Sequence, residues 1–386
     1  MKKTLNYQPI HPEGISDLLE KKAFQETFLV ESLMKNFKLN GYNEVSPPLI
    51  EYEKNFKYFL DTTIDENIFR IVDPISNKPM FIRNDITPQI ARIASERKIE
   101  KNVPLRLCYS GYVLRPKGNQ LHPDRQIRQA GLELFNNTSN QAAIEVISVG
   151  LESLKKVKVS NVIIDITIPN LSKIILDEFK IDEATIKKIN SYLIVKNTSK
   201  IKTIPRCGKL LADIADSAGD YERAIKKLEK IKLPVKAKKF VKDVKIICQG
   251  LKKINRDINI TIDPIENRGF SYYTGIGFAI FSENIKRELC FGGQYSIVSN
   301  NKIINGMGLS ILFDGLLKAT KIPSSKKTIF VPLNHDKNLP IELRKKGWIT
   351  ILSYKNSKSN MADAIKANCS HLLLGKSIIK VKSKEV

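Results

Sequence analysis

The chain has no run of about 18 apolar residues, the length that a membrane-spanning helix needs. Its opening MKKTLNYQPIHPEG lacks the apolar core of a secretory signal, so a cytoplasmic location is expected. Cysteine is scarce and scattered. Cys108, Cys207, Cys248, Cys290 and Cys369 are odd in number and without a CxxC spacing, which argues for reduced thiols rather than disulfides or zinc ligands. The four histidines, His11, His122, His335 and His371, are as dispersed, and neither a metal nor a cofactor is expected. Acidic residues are few, 40 against 64 Lys and Arg, leaving a net charge of +24. Such an excess attracts phosphate backbones through counterion release. Here it is spread along a chain rich in Lys, Ile and Asn throughout, a pattern that biased genome composition also produces, and an acidic partner subunit would suit it equally. Neither nucleic acid nor a membrane is an expected partner.

What is present is a chain of 386 residues, 42% hydrophobic and 27% charged, the balance of a soluble globular protein with two or three domains. Residues 80–135 organise it. Thr87-Pro88 predicts a helix start, with the hydroxyl as cap and proline at the first helical position. Ile86, Ile90, Ile93 and Ala94 then share one apolar face. Residues 105–115 and 125–135 read as strands flanking about nine residues that contain Pro116, Gly118, Asn119 and Pro123, a hairpin with a flexible loop.

Around this hairpin Arg83, Arg115, Arg125 and Arg128 are cationic, Asp85 and Glu133 anionic, and Gln129 neutral. Strand alternation points Gln129 and Glu133 the same way. With Asp85 nearby they would bind an ammonium group and an imidazole or amide, while Arg115 would take a carboxylate or phosphate. That set suits an amino acid. A hairpin with merely solvated charges fits the same pattern.

The hairpin resembles motif 2 of class II aminoacyl-tRNA synthetases, in detail that of histidyl-tRNA synthetases. NRGFSYYTGIGFAIF at 267–281 resembles the histidine-specific signature of that family, and FGGQYS at 291–296 its glycine-rich strand turn. HPEGISDLLE at 11–20 and GYNEVSPPLIEYEKNF at 41–56 match its opening helix and motif 1. The resemblance spans roughly residues 9–318. It implies an α+β fold, a class II synthetase-like antiparallel sheet flanked by helices. It also implies a histidine pocket made of Asp85, Thr87, Arg115, Gln129, Glu133, Arg268, Tyr272, Tyr273 and Tyr295.

The departures fall where ATP chemistry should be. Lys117 stands where the family has the glutamate that reads adenine, and Leu312 and Phe313 stand where motif 3 has a glutamate and an arginine. Adenylate formation needs cations placed on the triphosphate, and phenylalanine supplies none. A retained pocket beside a lost nucleotide grip resembles the regulatory subunits of ATP phosphoribosyltransferase. These are histidyl-tRNA synthetase relatives without synthetase activity. The resemblance implies a non-catalytic chain that joins a short-form catalytic subunit, is required for the first step of histidine biosynthesis and mediates feedback inhibition by L-histidine. It also implies a homodimer within a hetero-oligomer. A working synthetase with a divergent motif 3, and a tRNA-binding relative, are the other readings.

For the rest, a helix is expected from after Ser16 to Leu39, ended by Asn40-Gly41; in class II relatives this region makes the homodimer interface, and a surface helix packed on its own chain is the alternative. Pro47-Pro48 places the next strand at an edge or turn. Residues 139–158 read as an amphipathic helix and 161–170 as a buried strand. Residues 171–256 form a lysine-rich helical insertion, at the place where histidyl-tRNA synthetases insert a helical module. Residues 258–264 return to strand. Gly292-Gly293 allows a close backbone approach or a bulge. After a linker at 321–327, residues 323–386 read as a small β-α-β-α-β unit beyond a synthetase-like core of 1–322.

Overall fold

The computed structural model describes residues 10–55, 68–97, 103–266, 273–283, 285–299, 302–321 and 327–381 of the chain. It divides into two compact units, Met1–Lys321 and Ile322–Val386.

The first unit is built on a nine-stranded sheet. Across it run Asn43–Glu44, Leu105–Leu114, Gln126–Phe135, Lys302–Leu312, Ile285–Ser299, Tyr273–Ser282, Val162–Thr167, Asn259–Asp263 and Gly219–Asp220. The central pairings are antiparallel, and the parallel ones are Asn43–Glu44 on Leu105–Leu114 and Val162–Thr167 on Asn259–Asp263. Parallel neighbours need a long crossover. The second of these pairs has one in the helices between Leu171 and Ile254, the lysine-rich stretch.

Strand alternation gives the sheet two unlike faces. On one face Cys108, Ala130, Leu132, Leu134, Met307, Leu309 and Ile311 join one large apolar cluster. Leu29, Leu33 and Phe37 of the helix Glu20–Leu39 and Ala143, Val146 and Ile147 of the helix Asn140–Lys156 complete it. The first of these helices stops where Gly41 takes a positive φ of 83°. The second begins at Ser139, whose hydroxyl accepts the Ala142 N–H at 3.3 Å. On the opposite face lies the short helix Thr87–Glu96, whose Ile90, Ala91 and Ala94 pack on Leu107, Tyr109, Phe135, Tyr295 and Leu312.

The Thr87 hydroxyl does not cap this helix, contrary to the sequence expectation. The Asp85 carboxylate accepts the Thr87 N–H at 3.2 Å, the Gln129 side-chain oxygen accepts the Ile86 N–H at 3.1 Å, and Pro88 occupies the first turn. The hairpin loop is not free either. Asn119 Oδ1 accepts the N–H groups of Leu121 and His122, at 3.0 and 2.7 Å, and His122 is buried.

In the second unit the parallel strands Ile349–Leu352, Thr328–Val331 and His371–Leu374 alternate with the helices Leu339–Lys345 and Asn360–Lys366. A fourth strand, Ser377–Lys380, folds back antiparallel on His371–Leu374 through a turn with Gly375 at φ 61°. No helix among the described residues is long and apolar enough to cross a membrane. All five cysteines are free and buried.

Candidate functional site

The helix start at 85–87 sits over the sheet at the point where a row of side chains is missing. Glu133 pairs in register with Gly308, Gly308 with Gly293, and Gly293 with Gly277. Three strands in succession therefore present bare backbone beside one carboxylate. A Cβ on Gly308 would stand 1.9 Å from Glu133 Oε2, so the carboxylate lies directly on the glycine. A Cβ on Gly293 would meet the Tyr273 ring at 2.9 Å, and one on Gly306 the Tyr295 ring at 2.7 Å. The glycines let two tyrosines and a glutamate lie flat on the sheet.

These groups form one buried network. The Tyr295 hydroxyl donates to Glu133 Oε2 at 2.6 Å and the Thr87 hydroxyl to Glu133 Oε1 at 3.1 Å. Gln129 Nε2 donates to Asp85 Oδ1 at 2.8 Å and to Ser310 Oγ at 2.9 Å. The Tyr109 hydroxyl joins Ser310 Oγ at 2.9 Å and Thr87 Oγ1 at 3.1 Å. Glu133 is 1% exposed. Burial pushes its carboxyl up to about 8; the Tyr295 and Thr87 hydroxyls oppose the shift, and the charge of Asp85 adds to it. No described ion pair supplies Glu133 with a cation. The site therefore offers a fully desolvated acid beside an aspartate whose amide partner fixes its orientation, an arrangement able to take a cationic or N–H-donating ligand.

Asp85, Thr87, Gln129, Glu133 and Tyr295 are thus brought together, and Tyr273 lines the same space. Arg115 stands at the end of its strand with its N–H on the Arg125 carbonyl at 2.8 Å, and none of the described hydrogen bonds joins its side chain to the network. Arg268 and Tyr272 lie outside the described residues. Glu133 is a core carboxylate rather than the exposed group its residue type leads one to expect.

The other arginines have different work. Arg83 is buried, donating to the carbonyl oxygens of Tyr112 and Pro47 at 2.8 and 2.9 Å. Arg125 donates to the Glu13 and Arg115 carbonyls. Arg128, adjacent to Gln129, points to the opposite face, where it stacks on Tyr112 with its guanidinium 4.8 Å from the ring centre. Ser310 and Tyr109 were not legible as site residues. Ser310 shares its strand face with Gly306 and Gly308, and that alternation was the available signal.

Leu312 and Phe313 are 2% and 1% exposed and packed in apolar clusters, so neither position offers a group to a nucleotide. The next residue, Asp314, holds the hairpin loop. His122 Nδ1 lies 2.7 Å from Asp314 Oδ2, and Arg287 Nη1 donates to the same oxygen at 2.7 Å. His122 Nε2 is 3.3 Å from Glu288 Oε1, an ion-pair distance without hydrogen-bond alignment. The Asp314 hydrogen bond, then Glu288, raises His122 to about 9. Burial works to raise Asp314, but His122 and Arg287 outweigh it and hold it below the usual carboxylate range. Among the described residues no group of His, Cys, Asp or Glu is placed to hold a metal ion.

The family model for histidyl-tRNA synthetase matches residues 14–316. The ATP phosphoribosyltransferase regulatory subunit of Rhodospirillum centenum is 33% identical over 97% of this chain and 96% of its own length. That of Paramagnetospirillum magneticum is 32% identical over 96% of this chain and 97% of its own. Among solved structures, a protein of Bacillus halodurans described as an ATP phosphoribosyltransferase regulatory subunit/histidyl-tRNA synthetase superposes with a TM-score of 0.81 at 20% identity, covering 97% of this chain and all of that one. The histidyl-tRNA synthetase of a Nostoc species does so with a TM-score of 0.75 at 16% identity, covering 97% of this chain and 95% of that one. The architecture is the class II synthetase-like α+β fold, and the chain belongs to the family of ATP phosphoribosyltransferase regulatory subunits.

Proposed function

We propose that this chain binds L-histidine in the pocket around Asp85, Thr87, Gln129, Glu133, Tyr273 and Tyr295, and conveys occupancy to a short-form ATP phosphoribosyltransferase catalytic subunit. The partner performs the first step of histidine biosynthesis, and this chain is required for that activity and for its inhibition by histidine. Arg115, Arg268 and Tyr272 complete the pocket in this reading. The chain itself carries out no aminoacylation. It works in the cytoplasm as a homodimer within a hetero-oligomer.

The observation that carries the reading is a contrast between two sets of positions. The buried Gln129 and Glu133 with the half-buried Asp85 form a polar set suited to an ammonium group and an imidazole N–H, while the positions that would grip a nucleotide are the buried apolar side chains of Leu312 and Phe313. Coupling occupancy to a partner needs only about 1 to 3 kcal/mol between the two sites.

Titration calorimetry of the purified chain with L-histidine tests the binding, and copurification with the catalytic subunit tests the partnership. Saturable binding to the chain alone is expected, with no histidine-dependent exchange of pyrophosphate into ATP. Exchange at synthetase speed would overturn the reading.

A further inference from the structure

The second unit has a topology that makes a site of its own. Its parallel strands lie in the order Ile349–Leu352, Thr328–Val331, His371–Leu374, so the first in the chain lies between the two that follow. The chain winds out to one side of Thr328–Val331 and then crosses back to the other. Its core records the reversal. Ile329 and Val331 pack with Leu343 of the helix Leu339–Lys345, whereas Phe330, between them, packs with Ala364 of the helix Asn360–Lys366, so the helices cover opposite faces. Open α/β sheets hold ligands at the carboxyl ends of the strands, where the winding reverses. A cavity of about 210 Å³ lies there, lined by residues that follow each of the three strands: Asn334 and His335, then Lys355, Asn356 and Ser357, then Gly375.

The lining is polar and contains a lysine but no carboxylate. The His335 Nδ1–H donates to the Pro332 carbonyl at 2.6 Å, so the proton is on that nitrogen and Nε2 is left for a ligand. Ser357 Oγ accepts the Ser359 N–H at 3.1 Å and keeps its own proton to donate. Among the described residues no hydrogen bond or ion pair engages the side chains of Asn334, Lys355, Asn356 or Asn360, which also lines the cavity. We propose that this cavity binds a small sugar phosphate, with the phosphate on Lys355 and the sugar hydroxyls on the carboxamides and His335 Nε2. A lysine takes phosphate as a compact point charge, and carboxamides both donate to hydroxyls and accept from them. The donors here outnumber the two oxygens of a carboxylate and suit the three of a phosphate ester. At about 210 Å³ the space is smaller than the roughly 300–1,000 Å³ of sites for drug-sized molecules, too small for a dinucleotide.

The site involves no residue of the first unit and stands or falls apart from the histidine reading. Ribose 5-phosphate and glucose 6-phosphate are titrated by calorimetry into the full-length wild type and into Lys355→Gln and Asn360→Ala, with inorganic phosphate and free ribose as comparisons. Saturable binding of at least one sugar phosphate is expected, tighter than that of inorganic phosphate and absent with free ribose. Lys355→Gln should weaken it about tenfold or more, the worth of a hydrogen bond to a charged group, and Asn360→Ala about three- to tenfold. Lys355 is exposed, and an unchanged urea transition shows that its variant is folded. The site is overturned if neither sugar phosphate binds at millimolar concentration, or if Lys355→Gln binds as tightly as the wild type. Binding no tighter than that of inorganic phosphate also overturns it and leaves an anion trap only. Binding of a single-stranded RNA through Lys355, with no binding of either sugar phosphate, overturns it as well and makes the face a nucleic-acid surface.

Discussion

Two buried carboxylates in the same unit, Glu133 and Asp314, have opposite fates. Glu133 meets only hydroxyl donors among its described hydrogen bonds, and burial drives its carboxyl up to about 8. Asp314 is clasped by His122 and Arg287, each at 2.7 Å, and is held below the ordinary range despite burial. Desolvation acts on both, and what differs among the described residues is whether a counter-charge lies beside the carboxylate. Where it does, the cluster is structural, pinning the hairpin loop to the helix Phe313–Ala319 and the strand Ile285–Ser299. Where no described residue supplies one, the proposed reading gives the carboxylate to the cation of a ligand. In the proposed reading, a site for a cationic ligand and an internal clasp are told apart by their compensation rather than by their burial.

The sharpest way to break this contrast is to neutralise each carboxylate in place. Asp314→Asn leaves His122 and Arg287 buried without their shared anion and should cost about 3 kcal/mol of stability by urea unfolding. Glu133→Gln keeps the shape and an acceptor for Thr87 and should not destabilise, since at pH 7 it also removes the cost of keeping a buried carboxyl protonated. If Glu133→Gln proves the more damaging of the two, the distinction between site and clasp is wrong.

Ligand binding should reverse the order. Glu133→Gln removes the carboxylate on which the Tyr295 and Thr87 hydroxyls converge, and histidine affinity should fall about 10- to 100-fold by calorimetry, the worth of a hydrogen bond to a charged group. Comparable losses in both variants would mean that the clasp belongs to the binding site.

Much of the site was legible because alternation along a strand is a strong rule. It put Gln129 and Glu133 on one face, and the ordered motifs of the resemblance gave the fold class. The same rule, followed strictly, would have sent Arg128 to the other face, where Tyr112 receives it. The Thr87 cap was misread because propensity knows nothing of a buried carboxylate across the cleft that competes for the hydroxyl. The pinned loop was invisible for a different reason: the partner of His122 is 192 residues away in sequence. The fourth strand of the second unit hides behind a turn of only Gly375 and Lys376.

The smallest effect expected is on the pH dependence of stability, and it sharpens the contrast by showing both groups at once. His122, raised to about 9 by Asp314 and Glu288, binds its proton more tightly folded than unfolded, so its stabilisation is complete below about 6.5 and fades as pH rises towards 9. Glu133 follows the same sign through burial, losing stability as pH rises from its ordinary range to about 8. The windows overlap between pH 7 and 8, below the range in which the buried thiols, all pushed upward, begin to contribute. Urea unfolding should therefore give a wild type that is less stable at pH 8 than at pH 7, by about 1 kcal/mol for each of the two protons. Glu133→Gln should remove one share and His122→Asn the other, leaving each variant with a shallower slope. Wild-type stability that rises over this interval would mean that neither group holds its proton as tightly as its surroundings dictate, and the opposition between the two carboxylates would lose its electrostatic basis.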